Sequence, residues 1–256
     1  MALSPNLLDL TAKHYLVTGA ASGIGFAISR LFGQLGAKIS MIDLDGPKLD
    51  DAGNRLSAAE HAKFVFDLEN VEGIDQLVRD IVSANGPLHG MIHAAGTQTV
   101  MPARDVKAAT WRRILAVNCE AALALSKNMG RKNVYAGSAG AVTFISSIMA
   151  LAGNPGSAAY SMSKAALHGL ARSLALEFAS DGIRVNCIAP GFVQTPMLDR
   201  LQKSWDESQR SAVEALHPLG FGRAEDIAHA AAFLTAETGR WITGTVLVVD
   251  GGYLAR

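Results

Sequence analysis

A tyrosine and a lysine four residues apart are the residues of this sequence best suited to move a proton. Tyr160 and Lys164 begin a helical pattern, and their spacing puts both side chains on one helix face. A free phenol has a pKa of about 10, and a nearby ammonium would stabilise the phenolate and lower that pKa. The pair could then exchange a proton with a substrate oxygen near neutral pH. Such a pair is also common on helices that only face solvent.

A glycine-rich turn offers a place for a phosphate. Residues 18–25 read Thr-Gly-Ala-Ala-Ser-Gly-Ile-Gly, directly after a strand-like run and directly before a helical pattern. Glycine permits a tight turn and a close backbone approach to a ligand, and the start of a helix attracts a pyrophosphate. A glycine pattern alone is weak, but its place after the first strand of a crossover unit predicts a dinucleotide site.

An aspartate follows at the position that selects between the two nicotinamide dinucleotides. Asp43 ends the second strand-like run, 18 residues after Gly25, where an acid binds the adenosine ribose hydroxyls. A carboxylate there would repel a 2′-phosphate, and the next residues, Leu44 and Asp45, bring no positive charge. The sequence therefore predicts NAD in preference to NADP. The alternative is that Asp43 is a turn or helix-cap residue.

Short apolar runs alternate with longer helical patterns along the whole chain, which indicates crossover units. We expect one α/β domain over 1–256, a Rossmann fold with a doubly wound parallel sheet of about seven strands and helices on both faces. Strands are predicted at 15–17, 38–42, 64–66, 91–93, 142–145, 184–188 and 246–249, and helices at 24–35, 48–58, 74–84, 105–128, 158–179 and 226–234.

Segment 196–222 interrupts the alternation of strand-like and helical patterns, since it is more polar and contains Trp205. In open α/β sheets ligands bind beyond the carboxyl ends of the strands, so an insertion there could be a substrate lid. An ordinary surface excursion is an equally good interpretation of the sequence.

The composition argues against several partners. The 256 residues contain 23 Lys plus Arg and 23 Asp plus Glu, a formal net charge of zero, so neither nucleic acid nor an anionic membrane is expected. No apolar run is long enough for a transmembrane helix and no signal-peptide pattern begins the chain, so we expect a cytoplasmic protein. Cys119 and Cys187 match no metal spacing, and no metal site is predicted.

Several motifs, in the family's order and over nearly the whole chain, make the sequence resemble the short-chain dehydrogenase/reductase family. The branch it resembles is that of the 3-oxoacyl-carrier-protein reductases. Residues 18–25 match Thr-Gly-x-x-x-Gly-x-Gly, and Tyr160 and Lys164 match Tyr-x-x-x-Lys. Residues 190–195 match the turn that contacts the nicotinamide carboxamide.

The resemblance implies an NAD(P)-dependent oxidoreductase that transfers a hydride between the cofactor and a carbonyl or secondary alcohol. Tyr160 would be the general acid in reduction and the base in oxidation, and Lys164 would lower its pKa and hold the nicotinamide ribose. Ser147, 13 residues before Tyr160, would polarise the carbonyl, and Asn118 would position a water that relays protons to Lys164. Cofactor contacts are implied for Tyr160, Lys164 and Gly19, Ser22, Gly23, Ile24, Gly25, Asp43, Asp67, Leu68, His93, Ala94, Ala95, Gly96, Pro190, Gly191, Val193 and Thr195.

One residue departs from the family pattern. The fourth strand-like run ends in His93, where the family usually has asparagine. A neutral imidazole can donate one hydrogen bond and accept one, with a different reach. We expect His93 to be a structural residue with a cofactor contact and not an extra catalyst.

Two other functions stay open, a nucleotide-sugar epimerase or dehydratase on the same fold and a non-catalytic nucleotide-binding regulator. The first usually carries an added C-terminal domain, and the second would be expected to lack Tyr160 or Lys164. No Lys or Arg occurs at 97–101 or 149–155, so we expect a fairly apolar small-molecule substrate, a carbonyl or an alcohol.

The helical patterns at 105–128 and 158–179 are rich in Ala and Leu around much of their circumference. The resemblance implies that these helices pair with their copies in a dimer, and that dimers form a homotetramer through the C-terminal strand. The alternative is burial within one subunit.

Overall fold

A parallel sheet of seven strands forms the centre of the computed structural model, which describes residues 6–56, 61–203 and 205–255. Its strands are β1 (His14–Thr18), β2 (Lys38–Asp43), β3 (Ala62–Val65), β4 (Gly90–His93), β5 (Gly140–Ile145), β6 (Ile183–Pro190) and β9 (Val246–Val249). They lie in the order β3-β2-β1-β4-β5-β6-β9, and every neighbouring pair is parallel. The order reverses between β1 and β4, which is the switch point where such sheets bind ligands.

Helices cover both faces of the sheet, as the alternating pattern predicts. They are α1 (Gly23–Gln34), α2 (Gly46–Asn54), α3 (Ile74–Asn85), α4 (Ala108–Leu115), α5 (Ala121–Met129), α6 (Ala158–Glu177), α7 (Pro196–Gln202), α8 (Glu207–Ala215) and α9 (Ala224–Thr235). Within the described residues, no helix combines the length and apolar content that crossing a membrane requires.

Two apolar cores hold the layers together, one on each face. On one face, Phe32 of α1 and Ala231 of α9 pack with the sheet. On the other, Leu77 of α3, Leu125 of α5 and Leu167 of α6 do so. Strands β1, β4 and β5 are buried along their full length, which explains why their sequences are apolar throughout instead of alternating.

The long helix predicted at 105–128 is not continuous, and that prediction was wrong in detail. A 3-10 turn at Ala103–Asp105 precedes α4, and a π-helical turn at Ala116–Glu120 separates α4 from α5. A π turn inserts one residue into the helix, which a search for a 3.6-residue period does not detect. The helix predicted at 48–58 ends at Asn54, and residues 57–58 lie outside the described part of the chain.

Segment 196–222 contains two short helices with local start signals. Pro196 occupies the first turn of α7, and Asp206 begins α8 in a capping box with Gln209. Two short strands frame the segment, β7 (Val193–Gln194) before it and β8 (Gly222–Arg223) after it, and they pair with each other. Both ends of the segment are therefore held beside the carboxyl end of β6.

Candidate active site

The glycine turn joins β1 to α1 by a backbone route that side chains would block. Gly19 has a φ of +67°, and a Cβ there would lie 2.8 Å from the main chain of Ala95. A Cβ on Gly25 would collide with the carbonyl oxygen of Gly19. The hydroxyl of Ser22 does not cap α1, so the first N–H groups of that helix are not satisfied by it. The turn and the N–H groups at the start of α1 therefore offer the donors that a dinucleotide phosphate needs.

Asp43 reaches back to the same turn from the end of β2. Its Oδ2 accepts a hydrogen bond from the N–H of Ala21 at 3.0 Å, and its Oδ1 accepts one from the N–H of Asp45 at 3.1 Å. Asp43 therefore stabilises a turn, as one of the two alternatives expects, and it also lines a cleft where the predicted contact with a ribose could form. The two bonds fix the carboxylate at the mouth of that cleft.

A cleft of about 290 Å³ runs along the glycine turn. It adjoins a second cavity of about 360 Å³ at the carboxyl ends of β5 and β6. Of the residues predicted to contact the cofactor, the cleft is lined by Gly19, Ser22, Gly23, Ile24, Gly25, Asp43, Asp67, Leu68, Ala94, Ala95, Gly96 and Thr195. The second cavity is lined by Tyr160, Lys164, Pro190, Gly191 and Val193.

His93 is the exception among the predicted cofactor contacts. Its side chain is fully buried behind the walls of both cavities and lines neither. Burial lowers the pKa of its imidazole to about 3, so the ring is neutral. The expectation of a structural residue fits this position, whereas the expected cofactor contact does not, because the cleft is lined by Ala94 and Ala95 and not by His93.

Ser147, Tyr160 and Lys164 meet in the second cavity. Ser147 follows the end of β5 by two residues and caps the short turn after it, accepting the N–H of Met149 at 3.1 Å. Tyr160 and Lys164 project from the first turns of α6. Burial raises the pKa of the Tyr160 phenol, and its interaction with the Ser147 hydroxyl partly offsets that effect. A serine hydroxyl and a phenol thus face the same space.

Lys164 is held by the sheet and not by the tyrosine. Its Nζ donates to the carbonyl of Ile145 at 2.8 Å and lies 5.8 Å from the centre of the Tyr160 ring. Burial lowers the pKa of Lys164 to about 8. The sequence predicts that Lys164 lowers the pKa of the Tyr160 phenol; burial raises that pKa in this structure, and Ser147, not Lys164, is the group that offsets the effect.

Asn118 lies in the π turn and lines neither cavity. Its amide exchanges two hydrogen bonds with the main chain of Thr97, at 2.8 and 2.9 Å, and donates to Ser163 Oγ at 2.9 Å. Ser163 in turn donates to the carbonyl of Tyr160 at 2.7 Å. Asn118 therefore joins the loop after β4 to the turn of α6 that carries the tyrosine.

Sequence reasoning missed two groups that support the site. Ser163 could have been found, since it lies on the same turn as Tyr160 and Lys164. His168 lies one turn further along α6, and its Nε2 is 2.7 Å from Ser146 Oγ, which also donates to the carbonyl of Lys164. No sequence signal connects His168 to Ser146, because only the packing of α6 on β5 brings them together.

The segment predicted as a substrate lid lies beside the larger cavity, and its role as a lid stays a prediction. The larger cavity is lined by Met197, Leu198 and Leu201 of α7, by Trp205 between the two helices, and by Val213 of α8. The Trp205 ring packs on Phe192, with ring centres 6.2 Å apart. His217, just after α8, accepts the N–H of Phe192 on Nε2 at 3.2 Å and donates from Nδ1 to the carbonyl of Val213.

Comparison with known proteins agrees with this geometry. The chain matches the family model described as Enoyl-(Acyl carrier protein) reductase over residues 19–254. The 3-oxoacyl-[acyl-carrier-protein] reductase FabG of Rickettsia prowazekii (strain Madrid E) is 38% identical over 249 residues, which cover 97% of this chain and 99% of the relative.

Solved structures extend the likeness to the whole fold. One, described as a candidate NAD(P)-dependent gluconate 5-dehydrogenase from Beutenbergia cavernae with bound NADP at low occupancy, has a TM-score of 0.89 and 31% identity. That match covers 98% of this chain and 100% of the other. A 4-hydroxyisoleucine dehydrogenase complexed with NADH has a TM-score of 0.88 and 28% identity, covering 95% and 99%.

A dinucleotide cleft beside a serine, a tyrosine and a lysine defines a nicotinamide-dependent oxidoreductase. The chain belongs to the short-chain dehydrogenase/reductase family, in the branch of the 3-oxoacyl-carrier-protein reductases. It acts on hydroxyl or keto substrates with NAD(P), and the predicted single-domain fold is confirmed.

Proposed function

We propose that this enzyme is an NAD(H)-preferring reductase of uncharged, largely apolar ketones and a dehydrogenase of the matching secondary alcohols. One observation carries the substrate class. Among the residues that the structure describes, Lys164 is the only charged side chain that lines the 360 Å³ cavity. Lys164 keeps its charge in its bond to the Ile145 carbonyl, and we assign that ammonium to the cofactor ribose, so the described lining offers no second cation to pair with a carboxylate or phosphate on the substrate.

The polar groups of the cavity support separate roles in binding the substrate oxygen and in transferring its proton. Ser147 and Tyr160 provide two hydroxyls for one substrate oxygen, and a preorganised donor pair stabilises the charge that develops on it. In reduction Tyr160 gives its proton to that oxygen, and in oxidation it takes the proton back. The nicotinamide, when bound, supplies or accepts the hydride. The raised pKa of Tyr160 keeps the phenol protonated at neutral pH, which suits the reducing direction.

Lys164 and Asn118 support Ser147 and Tyr160 in this proposal. Lys164 lines the cavity. We assign it two roles, to bind the nicotinamide ribose and to supply a positive charge near the phenol. Asn118 is a positioning residue, because its amide is committed to Thr97 and Ser163. Its role in a proton relay through water stays a prediction from the resemblance.

The cofactor preference rests on Asp43. Its carboxylate is fixed at the mouth of the cleft by two main-chain N–H groups, so it cannot turn away from a 2′-phosphate without losing both bonds. Asp67 lines the same end of the cleft and adds a second negative charge. The negative charges of Asp43 and Asp67 would repel the 2′-phosphate of NADP. The two ribose hydroxyls of NAD can instead donate hydrogen bonds to a carboxylate.

The deciding experiment is a rate panel that varies one substrate property at a time. Methyl ketones of increasing chain length, the corresponding keto acids and 3-oxoacyl thioesters are each reduced with NADH and with NADPH, and kcat/KM is measured. The proposal predicts that kcat/KM rises with chain length among the ketones and falls at least tenfold in the keto acids, because the cavity does not compensate the carboxylate. Keto acids reduced as fast as ketones would contradict it.

The thioester arm tests a second function. A relative covering nearly the full chain is named as a 3-oxoacyl-[acyl-carrier-protein] reductase, and an acyl chain would suit the apolar walls. Thioesters preferred over every ketone would replace the proposed substrate class. The Ser147→Ala variant, which is expected to lose activity, is the control. Its rate on the best substrate separates turnover at this site from a contaminating activity.

We also propose the homotetramer implied by the family resemblance, in the cytoplasmic setting expected from the sequence. Apolar side chains remain exposed on the elements expected to pair, namely Leu123 of α5, Met162 and Leu176 of α6, and Val248 of β9. Trp241, just before β9, is 90% exposed. Contiguous exposed apolar surface marks an interface in many proteins. A monomer mass in sedimentation equilibrium would contradict this assembly.

A further inference from the structure

Helix α7 forms a wall between the two cavities, and its two sides differ in chemistry. Leu198 and Leu201 line the larger cavity, where the substrate is proposed to bind. Arg200 lines the cofactor cleft instead. Met197, at the start of the helix, lines both. One short helix therefore presents apolar side chains to the larger cavity and a guanidinium to the cofactor cleft.

The packing of α7 places Arg200 on the side of the glycine turn. A Cβ built on Gly23 would lie 3.2 Å from Thr195 Cγ2 and 3.9 Å from Pro196 Cδ, so the start of α7 rests against this turn. Arg200 is four residues after Pro196 and shares its helix face. Helical side chains lean toward the N-terminus of their helix, which directs the guanidinium of Arg200 back toward Gly23.

The charges in the cleft single out Arg200. The cleft is lined by two acids, Asp43 and Asp67, and by two arginines, Arg113 and Arg200. The Nε of Arg113 is paired with Glu69 at 3.0 Å. Within the described ranges 6–56, 61–203 and 205–255, no carboxylate lies at ion-pair distance from Arg200. Its charge faces the cleft without a protein counter-ion.

The glycine turn itself carries no positive side chain. Residues 18–25 offer a phosphate N–H groups, the Ser22 hydroxyl and the dipole of α1 but no full positive charge, whereas the diphosphate of a dinucleotide brings two negative charges. A guanidinium is well suited to supply the missing positive charge, because its planar group binds phosphate oxygens in pairs. Position, free charge and ligand chemistry thus converge on one residue.

We propose that Arg200 binds the diphosphate of the dinucleotide and thereby fixes α7 over both cavities. Cofactor binding then completes the wall of the substrate cavity through Met197, Leu198 and Leu201, so the dinucleotide prepares the site for the substrate. This inference rests on the proposed placement of the dinucleotide in the cleft, and it is independent of which ketone the enzyme reduces.

The test compares Arg200→Gln with Arg210→Gln, a matched loss of charge on α8 at an exposed arginine that lines neither cavity. Calorimetric titration measures the Kd for NAD, NADP, ADP and adenosine in both variants and in the wild type. Arg200→Gln should raise the Kd for NAD and ADP about tenfold and leave adenosine unchanged, since adenosine lacks the diphosphate. Arg200→Lys should recover part of the loss, and Arg210→Gln should bind all four ligands as the wild type does.

A second readout follows the helix instead of the ligand. Hydrogen exchange of 196–202 should slow on addition of NAD in the wild type and in Arg210→Gln, and should slow much less in Arg200→Gln at saturating NAD. Unchanged ADP affinity in Arg200→Gln would overturn the proposal. So would a loss confined to NADP, because Arg200 would then bind the 2′-phosphate. If the wild type bound neither NAD nor ADP, the proposed function would be contradicted as well, because it requires a dinucleotide site in this cleft.

Discussion

The imidazole of His93 donates from Nε2 to the main-chain carbonyl of Val117, 3.1 Å away, and so joins β4 to the π turn that carries Asn118. A carbonyl can only accept, which fixes the proton on Nε2 and leaves Nδ1 to accept from the hydroxyl of Thr18, 3.0 Å away. Thr18 also accepts the N–H of Ala95 at 3.0 Å. A chain of hydrogen bonds thus connects the strand before the glycine turn with the active-site asparagine.

The first prediction is that His93→Asn weakens both the fold and the turnover. Asparagine is too short to reach Thr18 and Val117 at once, so one buried polar group loses its partner at a cost of roughly 1–3 kcal/mol. Because the freed turn carries Asn118, we expect kcat to fall by about tenfold while the Kd for NAD changes little. Urea unfolding, kcat and the Kd for NAD are the measurements.

His229→Asn is the control for this variant, since His229 is exposed on α9 and should tolerate the change. Reduced stability with an unchanged kcat would show that the bond from His93 supports the sheet only and does not position Asn118.

The same region shows how far the sequence could predict the site. The glycine turn, Asp43, Ser147, Tyr160 and Lys164 follow strands or share a helix turn, so the regular periods of strand and helix place them correctly. Asn118 was identified by resemblance, but its partners were not, because the π turn shifts the register by one residue. Contacts across 20 or more residues, such as Asn118 with Thr97, depend on packing that no local pattern contains.

The lid illustrates a second limit. Local signals such as Pro196 and the capping box at Asp206 predict that helices can start there, but they do not say where those helices pack. Burial of Phe192 against Trp205 and His217 decides that position. The sequence therefore left lid and surface excursion evenly balanced, and the tertiary contacts place the segment beside the larger cavity while its role as a lid stays a prediction.

Tyr160→Phe should abolish turnover and preserve cofactor binding. The change removes the hydroxyl that exchanges a proton with the substrate and keeps the ring, so kcat should fall by at least about a thousandfold while the Kd for NAD stays within about twofold. Single-turnover rates and a fluorescence titration with NADH measure the two quantities. Wild-type rates in this variant would show that another group transfers the proton.

The two reaction directions should respond differently to pH. A raised pKa of Tyr160 leaves little phenolate near neutral pH, so alcohol oxidation, which needs the base, should speed up as pH rises. Ketone reduction needs the phenol and should stay nearly level over the same range. Loss of the proton from Lys164, whose pKa is about 8, should then limit the gain on the alkaline side. Profiles of kcat/KM from about pH 6 to 10 in both directions test this, and an oxidation rate independent of pH would contradict it.

Asp43→Ala should narrow the preference for NAD over NADP. The carboxylate that repels a 2′-phosphate disappears, and the ribose hydroxyls of NAD lose an acceptor, so the ratio of the two Kd values should shift by about tenfold toward NADP. Asp45→Asn removes the same charge two residues away, outside the cleft lining, and should leave the ratio unchanged. Equal ratios in the wild type and Asp43→Ala would exclude Asp43 as the selector.

The last prediction concerns two buried histidines and the stability of the fold in weak acid. His14 donates from Nδ1 to the carbonyl of Gly86 and accepts from Ser40 on Nε2, and burial lowers the pKa of its ring. Burial also lowers the pKa of His93, to about 3. Both rings are therefore harder to protonate in the folded chain than in the unfolded chain, which takes up their protons near pH 6.5.

A lowered pKa in the folded state means that the stabilisation is complete above about pH 6.5 and is lost as pH falls from there toward the folded pKa. Each histidine should reduce the free energy of unfolding by up to roughly 1.4 kcal/mol per pH unit in this window. Urea unfolding at fixed protein concentration between about pH 7.5 and 5 stays above the range where most carboxylates titrate. His93→Asn should be less stable than the wild type at the upper pH and show a flatter decline, whereas His229→Asn should follow the wild-type curve. A wild-type stability that did not fall between about pH 6.5 and 5 would mean that the folded state takes up these protons as readily as the unfolded chain.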